Sequence, residues 1–214
     1  TYSVDGVDAV RVSTDSGDVS VIADSGERIR VEIRVVESLG EASIHDGHDR
    51  RRLALSAGCP AIAPFCSVDY VVHVPRRLAV TAVAANGDVT IRGVAGVVGA
   101  LSDNGDVTAS GLTGPSASLS SSNGDVRAEG IRAPRLRATS ENGDVHVGFA
   151  VAPTRAQAAS DNGDVRVEVP RGKELYAALA RSDNGDTEVG VRTDPASRRT
   201  VEATSDNGDV AIAY

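Results

Sequence analysis

The chain has 214 residues and a net charge of −8, with 41% hydrophobic residues, enough for one large domain or one elongated repeat array. Its basic residues are scattered, which disfavours non-specific nucleic-acid binding, since neutralising phosphates needs a clustered basic face; no apolar run reaches the roughly 18 residues of a membrane-spanning helix. Trp and Met are absent and aromatics are 3%, so any core must be built from Val, Ala, Ile and Leu, which suits thin, regular layers.

In chain order, Val10, Val12, Thr14, Ser16, Val19 and Val21 alternate around Ser16-Gly17-Asp18 and read as two short strands. Arg30–Val36 and Val68–Val74 read as further strands. Between them lies a polar excursion containing Ile44-His45-Asp46-Gly47-His48-Asp49, then Cys59 and Cys66 enclosing Pro60 to Phe65. A disulfide closing that short loop is expected, adding roughly 2–3 kcal/mol at best and consistent with an oxidising compartment. The alternative joins the cysteines to His45 and His48 as a zinc site; the spacings match no common zinc module. Residues 1–75 are therefore expected to form an irregular N-terminal coil and cap with a disulfide loop. A chain that begins at Thr1 and has no Met is read as a processed ectodomain whose export or anchoring segment is missing.

From residue 76 onward one motif recurs. Asn-Gly-Asp occurs as Asn86-Gly87-Asp88, Asn104-Gly105-Asp106, Asn123-Gly124-Asp125, Asn142-Gly143-Asp144, Asn162-Gly163-Asp164, Asn184-Gly185-Asp186 and Asn207-Gly208-Asp209. Successive copies are 18, 19, 19, 20, 22 and 23 residues apart, the signature of stacked units that bury their apolar faces against each other. Counting back from each Asn, position −6 holds residues such as Val80 and Leu136, position −4 Ala82 and Leu119, position −2 mostly Ser, as at Ser102 and Ser140. After the motif, positions +3 and +5 are apolar, as in Val89 and Ile91 or Val145 and Val147. The inward parity switches across the motif. Asn-Gly-Asp is therefore a corner between two strands, with Gly supplying a positive φ, Asn a buried ladder and Asp a cap on its own turn. A second turn, such as Ser110-Gly111-Leu112-Thr113-Gly114-Pro115, closes most units.

The taper from aliphatic to Ala to Ser toward each corner predicts a β-solenoid of 18–23 residues per coil, forming one continuous domain over residues 76–214. By analogy with parallel crossovers it is expected to be right-handed. The alternative is an antiparallel sandwich of hairpins, because Asn-Gly between alternating runs is also a hairpin signal. The corner aspartates would stack about 5 Å apart and repel one another by roughly 0.8 kcal/mol per pair in water. Turn hydrogen bonds offset this, or a row of calcium ions does. No His or acid is placed to activate one of the ladder serines. The sequence therefore assigns no catalytic residue, no metal ligand and no cofactor.

The repeated Ser-x-Asn-Gly-Asp-Val, with Val74-Pro75-Arg76-Arg77-Leu78-Ala79-Val80 leading into the first full copy, resembles a bacterial domain-of-unknown-function family of "putative adhesins". The resemblance covers residues 66–214 well and 7–21 weakly. It implies a β-solenoid on the outer side of the cell envelope, often behind a membrane anchor. The function implied is a non-catalytic surface module for a protein or glycan ligand, with no nucleic-acid partner; end-to-end self-association is compatible with the repeats. The alternative is a carbohydrate-active or calcium-dependent solenoid.

Overall fold

The structure is a computed structural model describing residues 1–37, 41–49, 51–60 and 65–214. It is all-β, and strand follows strand because each apolar–polar alternation is only a few residues long before a Gly or Pro interrupts it. The N-terminal strands are β1 (Tyr2–Val4), β2 (Ala9–Ser16), β3 (Val19–Asp24), β4 (Ile29–Glu37), β5 (Ser43–Asp49), β6 (Arg52–Gly58) and β7 (Cys66–Pro75). The five sequential coils that follow are β8 (Ala79–Asn86) with β9 (Val89–Arg92), β10 (Val98–Asn104) with β11 (Val107–Ser110), β12 (Ala117–Asn123) with β13 (Val126–Ile131), β14 (Arg135–Ser140) with β15 (Val145–Phe149), and β16 (Arg155–Ser160) with β17 (Val165–Glu168). The last two coils are β18 (Ala177–Ser182) with β19 (Thr187–Val189) and β20 (Thr200–Ser205) with β21 (Val210–Ala213).

Strands before the corner form a ten-stranded sheet and strands after it an eleven-stranded sheet. Coil pairs with coil in parallel and in register, Ala100 beside Ala82 and Leu119, Val107 beside Val89 and Val126. This is a β-solenoid, and the parallel ladders exclude the hairpin sandwich. The inner faces carry the expected series: Val80, Ala82, Val98, Leu119, Leu136, Ala138, Val201 and Ala203 are buried from one sheet, and Val89, Ile91, Val126, Val147, Val167 and Ile212 from the other. The second turns pin themselves through Val94, Leu112 and Ile131. In the next copy Phe149 takes that role and Val151 is exposed. One buried cluster runs from Val7 to Ile212.

The coils are not stacked in chain order. The sheets run β1-β4-β7-β3-β9-β11-β13-β15-β17-β21-β19 and β5-β6-β2-β8-β10-β12-β14-β16-β20-β18. The first repeat, β2 and β3, thus lies inside the stack, between β6–β7 and β8–β9. At the other end the seventh Asn-Gly-Asp copy is slotted between the fifth and the sixth, so Val165 pairs with Val210 and Val210 with Thr187. The chain reaches the outermost coil first and returns to fill the gap. Strand β21 is consequently covered by another coil of the same chain.

The two ends are built differently. At the N-terminal end the direction of pairing changes: β4 runs antiparallel to β7, β1 to β4 and β5 to β6. Cys59 and Cys66 form a disulfide with a Cα–Cα distance of 5.8 Å, so neither sulfur is a free thiolate ligand. The loop between them is described only at Pro60 and Phe65; Ala61 to Pro64 lie outside the described residues. Arg51 pairs with Asp8 and Arg28 with Asp5 at 3.3 Å. At the C-terminal end β18 and β19 are the last strands of their sheets.

Candidate functional site: the Asn-Gly-Asp corners

Three rungs join each corner to the next. Ser Oγ donates to the carbonyl of the corner Gly in the neighbouring coil: Ser102 to Gly87, Ser121 to Gly105, Ser140 to Gly124, Ser160 to Gly143, Ser205 to Gly163 and Ser182 to Gly208, all at 2.8 Å. All but Ser182 are buried. A buried carbonyl needs a donor, and Ser is the smallest residue that supplies one where the sheets converge. Thr14 does the same in the first repeat, donating to Val68 at 3.1 Å.

The Asn amides form the second rung. Asn104 Nδ2 donates to Asn86 Oδ1 at 3.2 Å, and the row continues through Asn123, Asn142, Asn162, Asn207 and Asn184 at 3.0–3.1 Å per step. Each Asn also donates to a backbone carbonyl of the neighbouring coil, Asn123 to Asp103 at 3.2 Å for example. The expected ladder exists but is exposed, not buried. The chain turns outward one residue earlier than the alternation implies, so the amides stack along the outer ridge.

The Asp carboxylates form the third rung, and here the sequence-based expectation needs correcting. They do not cap their own turns. Each Oδ1 accepts the N–H of the Asp in the next coil: Asp88 N to Asp18, Asp106 N to Asp88, Asp125 N to Asp106, Asp144 N to Asp125, Asp164 N to Asp144, Asp209 N to Asp164 and Asp186 N to Asp209, at 2.8–2.9 Å. A charge-assisted bond to backbone N–H at every step is what offsets repulsion along the row.

The corner glycines differ from expectation as well. Gly17, Gly87 and Gly105 have φ of 120°, 151° and 158°, but Gly124, Gly143, Gly163, Gly185 and Gly208 lie outside the positive-φ range. The common requirement is space. A Cβ on Gly124 would overlap the Gly105 carbonyl oxygen, and the same holds along the row. The oxygen that receives the Ser hydroxyl points at the next Gly Cα, which leaves no room for a side chain.

The rows have a direction. Every coil donates toward the N-terminal end of the stack and accepts from the other side. At the N-terminal end Asp18 N donates to Asp69 Oδ1 at 3.1 Å, and Ser67 Oγ to the same oxygen at 3.0 Å. Asp69 is therefore a corner aspartate that the sequence reading missed. Val68-Asp69-Tyr70 occupies the register of Gly17-Asp18-Val19 without the glycine that marks the other copies. At the opposite end Asn184 and Asp186 donate inward, and no described residue donates to their side-chain oxygens.

Beside the corners, on the outer face of the eleven-stranded sheet, Asp125, Arg127, Asp144, His146, Asp164 and Arg166 line a shallow groove of about 280 Å³. Arg166 Nε donates to Glu168 at 2.7 Å, and that bond, together with the charges of Arg166 and His146, holds the Glu168 carboxyl below its ordinary range despite partial burial. The ladder serines are committed donors to carbonyls and face no imidazole. His45 and His48 lie on exposed strand β5, pairing with Ser56 and Leu53. Among the described residues no group of three His, Cys, Asp or Glu is arranged to hold a metal ion, and no helix is long and apolar enough to cross a membrane.

Stacked coils with polar ladders at one corner define the protein as a β-solenoid of the repeat class. It belongs to the Toastrack DUF4097 family, whose model matches residues 3–213. A crystal structure of a putative adhesin from Bacteroides fragilis aligns over 99% of this chain and 95% of its own at 13% identity, with a TM-score of 0.51. A putative cell adhesion protein from Clostridium sporogenes aligns over 97% of this chain and 93% of its own at 8% identity, with a TM-score of 0.39. The first of these likenesses is one of fold. No curated protein matches the chain.

Proposed function

We propose that the protein is a non-catalytic interaction module at the outer side of a bacterial cell envelope, an adhesin-like solenoid that presents its strand faces to a protein or glycan ligand. The observation that carries this reading is the in-register outer face of the ten-stranded sheet. Thr81, Gly99, Ser118, Arg137 and Gln157 stand side by side on successive coils, giving a flat polar surface that repeats every ~4.8 Å. Such a surface suits an extended ligand better than an enclosed small molecule. The ladder serines and corner aspartates are otherwise occupied: the serines cap carbonyls, and the aspartates brace their neighbours. The fold relative from Bacteroides fragilis bears an adhesin name, and a disulfide fits an oxidising compartment.

The test is to probe the purified chain against a glycan array and by pull-down from an envelope extract. A saturable ligand lost on Arg137→Glu, which alters the flat face without touching the ladders, supports the reading; retention of every ligand by this variant sinks the face assignment. Melting with calcium and with chelator addresses the calcium-dependent alternative, and equal melting temperatures would end it.

A further inference from the structure

Seven Asn-Gly pairs occur in one chain, and Asn-Gly is the dipeptide most open to intramolecular attack, because glycine puts no side chain in the way of its own nitrogen. The Gly nitrogen, losing its proton, attacks the Asn Cγ. A C–N bond forms, the Cγ–Nδ2 bond breaks and ammonia leaves. Water then opens the resulting five-membered imide at either carbonyl, giving aspartate or isoaspartate. No oxidant, metal or enzyme enters the balance.

The ladder determines which pairs can react. For the attack the Asn side chain must rotate out of its row. In Asn86, Asn104, Asn123, Asn142, Asn162 and Asn207 this breaks the donated bonds and also the bond received at Oδ1 from the next coil. It also requires movement of a corner held between two neighbours. Asn184 donates to Asn207 Oδ1 at 3.0 Å and to the Asp206 carbonyl at 3.2 Å, and no described residue donates to its Oδ1. Its coil has one neighbour only. Gly185 is exposed whereas the other six corner glycines of the Asn-Gly pairs are half-buried, and all of β19 is exposed. Opening the outermost coil suffices to free this pair.

We propose that Asn184-Gly185 is a site of spontaneous deamidation, singled out from six chemically equivalent pairs by its place at the open end of the amide row. The product is not silent. A carboxylate at position 184 loses the amide donor to Asn207, and it adds a negative charge between Asp183 and Asp186. An isoaspartate also lengthens the main chain at a corner that has no slack. This chemistry is independent of any adhesive role.

The experiment incubates the intact, folded chain in warm, mildly alkaline buffer and maps peptides over time. A mass gain marks exchange of the amide NH₂ for OH, and chromatography separates the two isomers. Asn184 is expected to convert roughly tenfold ahead of any other copy, the ratio that about one extra hydrogen bond implies. The urea-unfolded chain should convert all seven at similar rates, and Asn184→Gln should abolish the fast phase while leaving the melting temperature within a few degrees. Faster conversion at an inner copy, equal rates in the folded chain, no conversion at Asn184, or an Asn184 lead that persists in urea would each overturn the proposal.

Discussion

At the N-terminal end of the stack the coil that carries Asp69 is followed by antiparallel strands and closed by a disulfide; at the C-terminal end the outermost layer is an ordinary repeat coil. Tyr70 is fully buried in the first region, whereas Leu179 and Val189 in the second are 53% and 42% exposed. An inner coil is supported on two sides and an end coil on one, so the same residue type carries a different energetic weight in each. Exposed sheet edges invite pairing with another strand, and each end of the stack has two edge strands, β1 and β5 at one and β18 and β19 at the other. The loop after β19 covers part of the C-terminal end: Tyr176 is buried, Arg192 N donates to Tyr214 Oη at 2.9 Å, and Arg199 reaches the Ala152 and Pro153 carbonyls at 3.0 and 2.8 Å.

The contrast is sharpest at the corner glycines. Gly124→Ala drives a Cβ into the Gly105 carbonyl, backbone against backbone, and is expected to cost about 3–4 kcal/mol in urea unfolding. Gly185→Ala meets the Gly208 carbonyl in the same way. There the outer coil can detach instead, so the loss should stay near 1 kcal/mol. Equal losses would show that the end coil is as firmly held as the centre. Core truncation comes next: Leu119→Ala should cost about 2–4 kcal/mol, while Leu179→Ala should stay within about 0.5 kcal/mol. Replacing both Cys59 and Cys66 by Ser should remove roughly 2–3 kcal/mol and speed amide exchange in β6 and β7 but not in β19. Exchange rising throughout the stack would show instead that the coils unfold as one unit.

The smallest effect is confined to high pH. Burial first, then Tyr2 and the Asp46 charge, push the Tyr70 hydroxyl up to about 12 from an ordinary 10.0. A raised folded-state value means that the folded chain holds its proton more tightly than the unfolded one. This contribution is fully present below pH 10 and is lost as the pH climbs toward 12. Tyr70→Phe should flatten stability across that window. At neutral pH the change should be neutral or gain up to about 1 kcal/mol, since the hydroxyl has no hydrogen-bond partner among the described residues. An unchanged alkaline profile would assign the loss to other groups.

The repeat made much of this legible from residues alone. Parity, taper and the switch at Asn-Gly-Asp located the corners and the buried serines, because those features are local and recur in every copy. Other features were hidden. Any coil fits any other, so the interchange of the last two copies left only an indirect trace in the longer gaps of 22 and 23 residues, which allow the chain to cross a layer. Asp69 was missed because Val68 stands where the motif has Gly. The Asp role was assigned within a turn, whereas its partner lies one coil away, at 18 residues or more in sequence.

The interchange also sets an order of events during synthesis. While β17 is waiting for β21, 45 residues later, the first coil to emerge beside it is β18–β19, with the same Ser, Asn and Asp rungs. Docking there directly would make a well-bonded but wrong stack, which would have to reopen before the final 15 residues could enter. Long-range pairing of this kind is slow and open to kinetic traps. A refolding phase that disappears when residues 200–214 are supplied ahead of the sixth copy, by circular permutation, would be the trace of that detour.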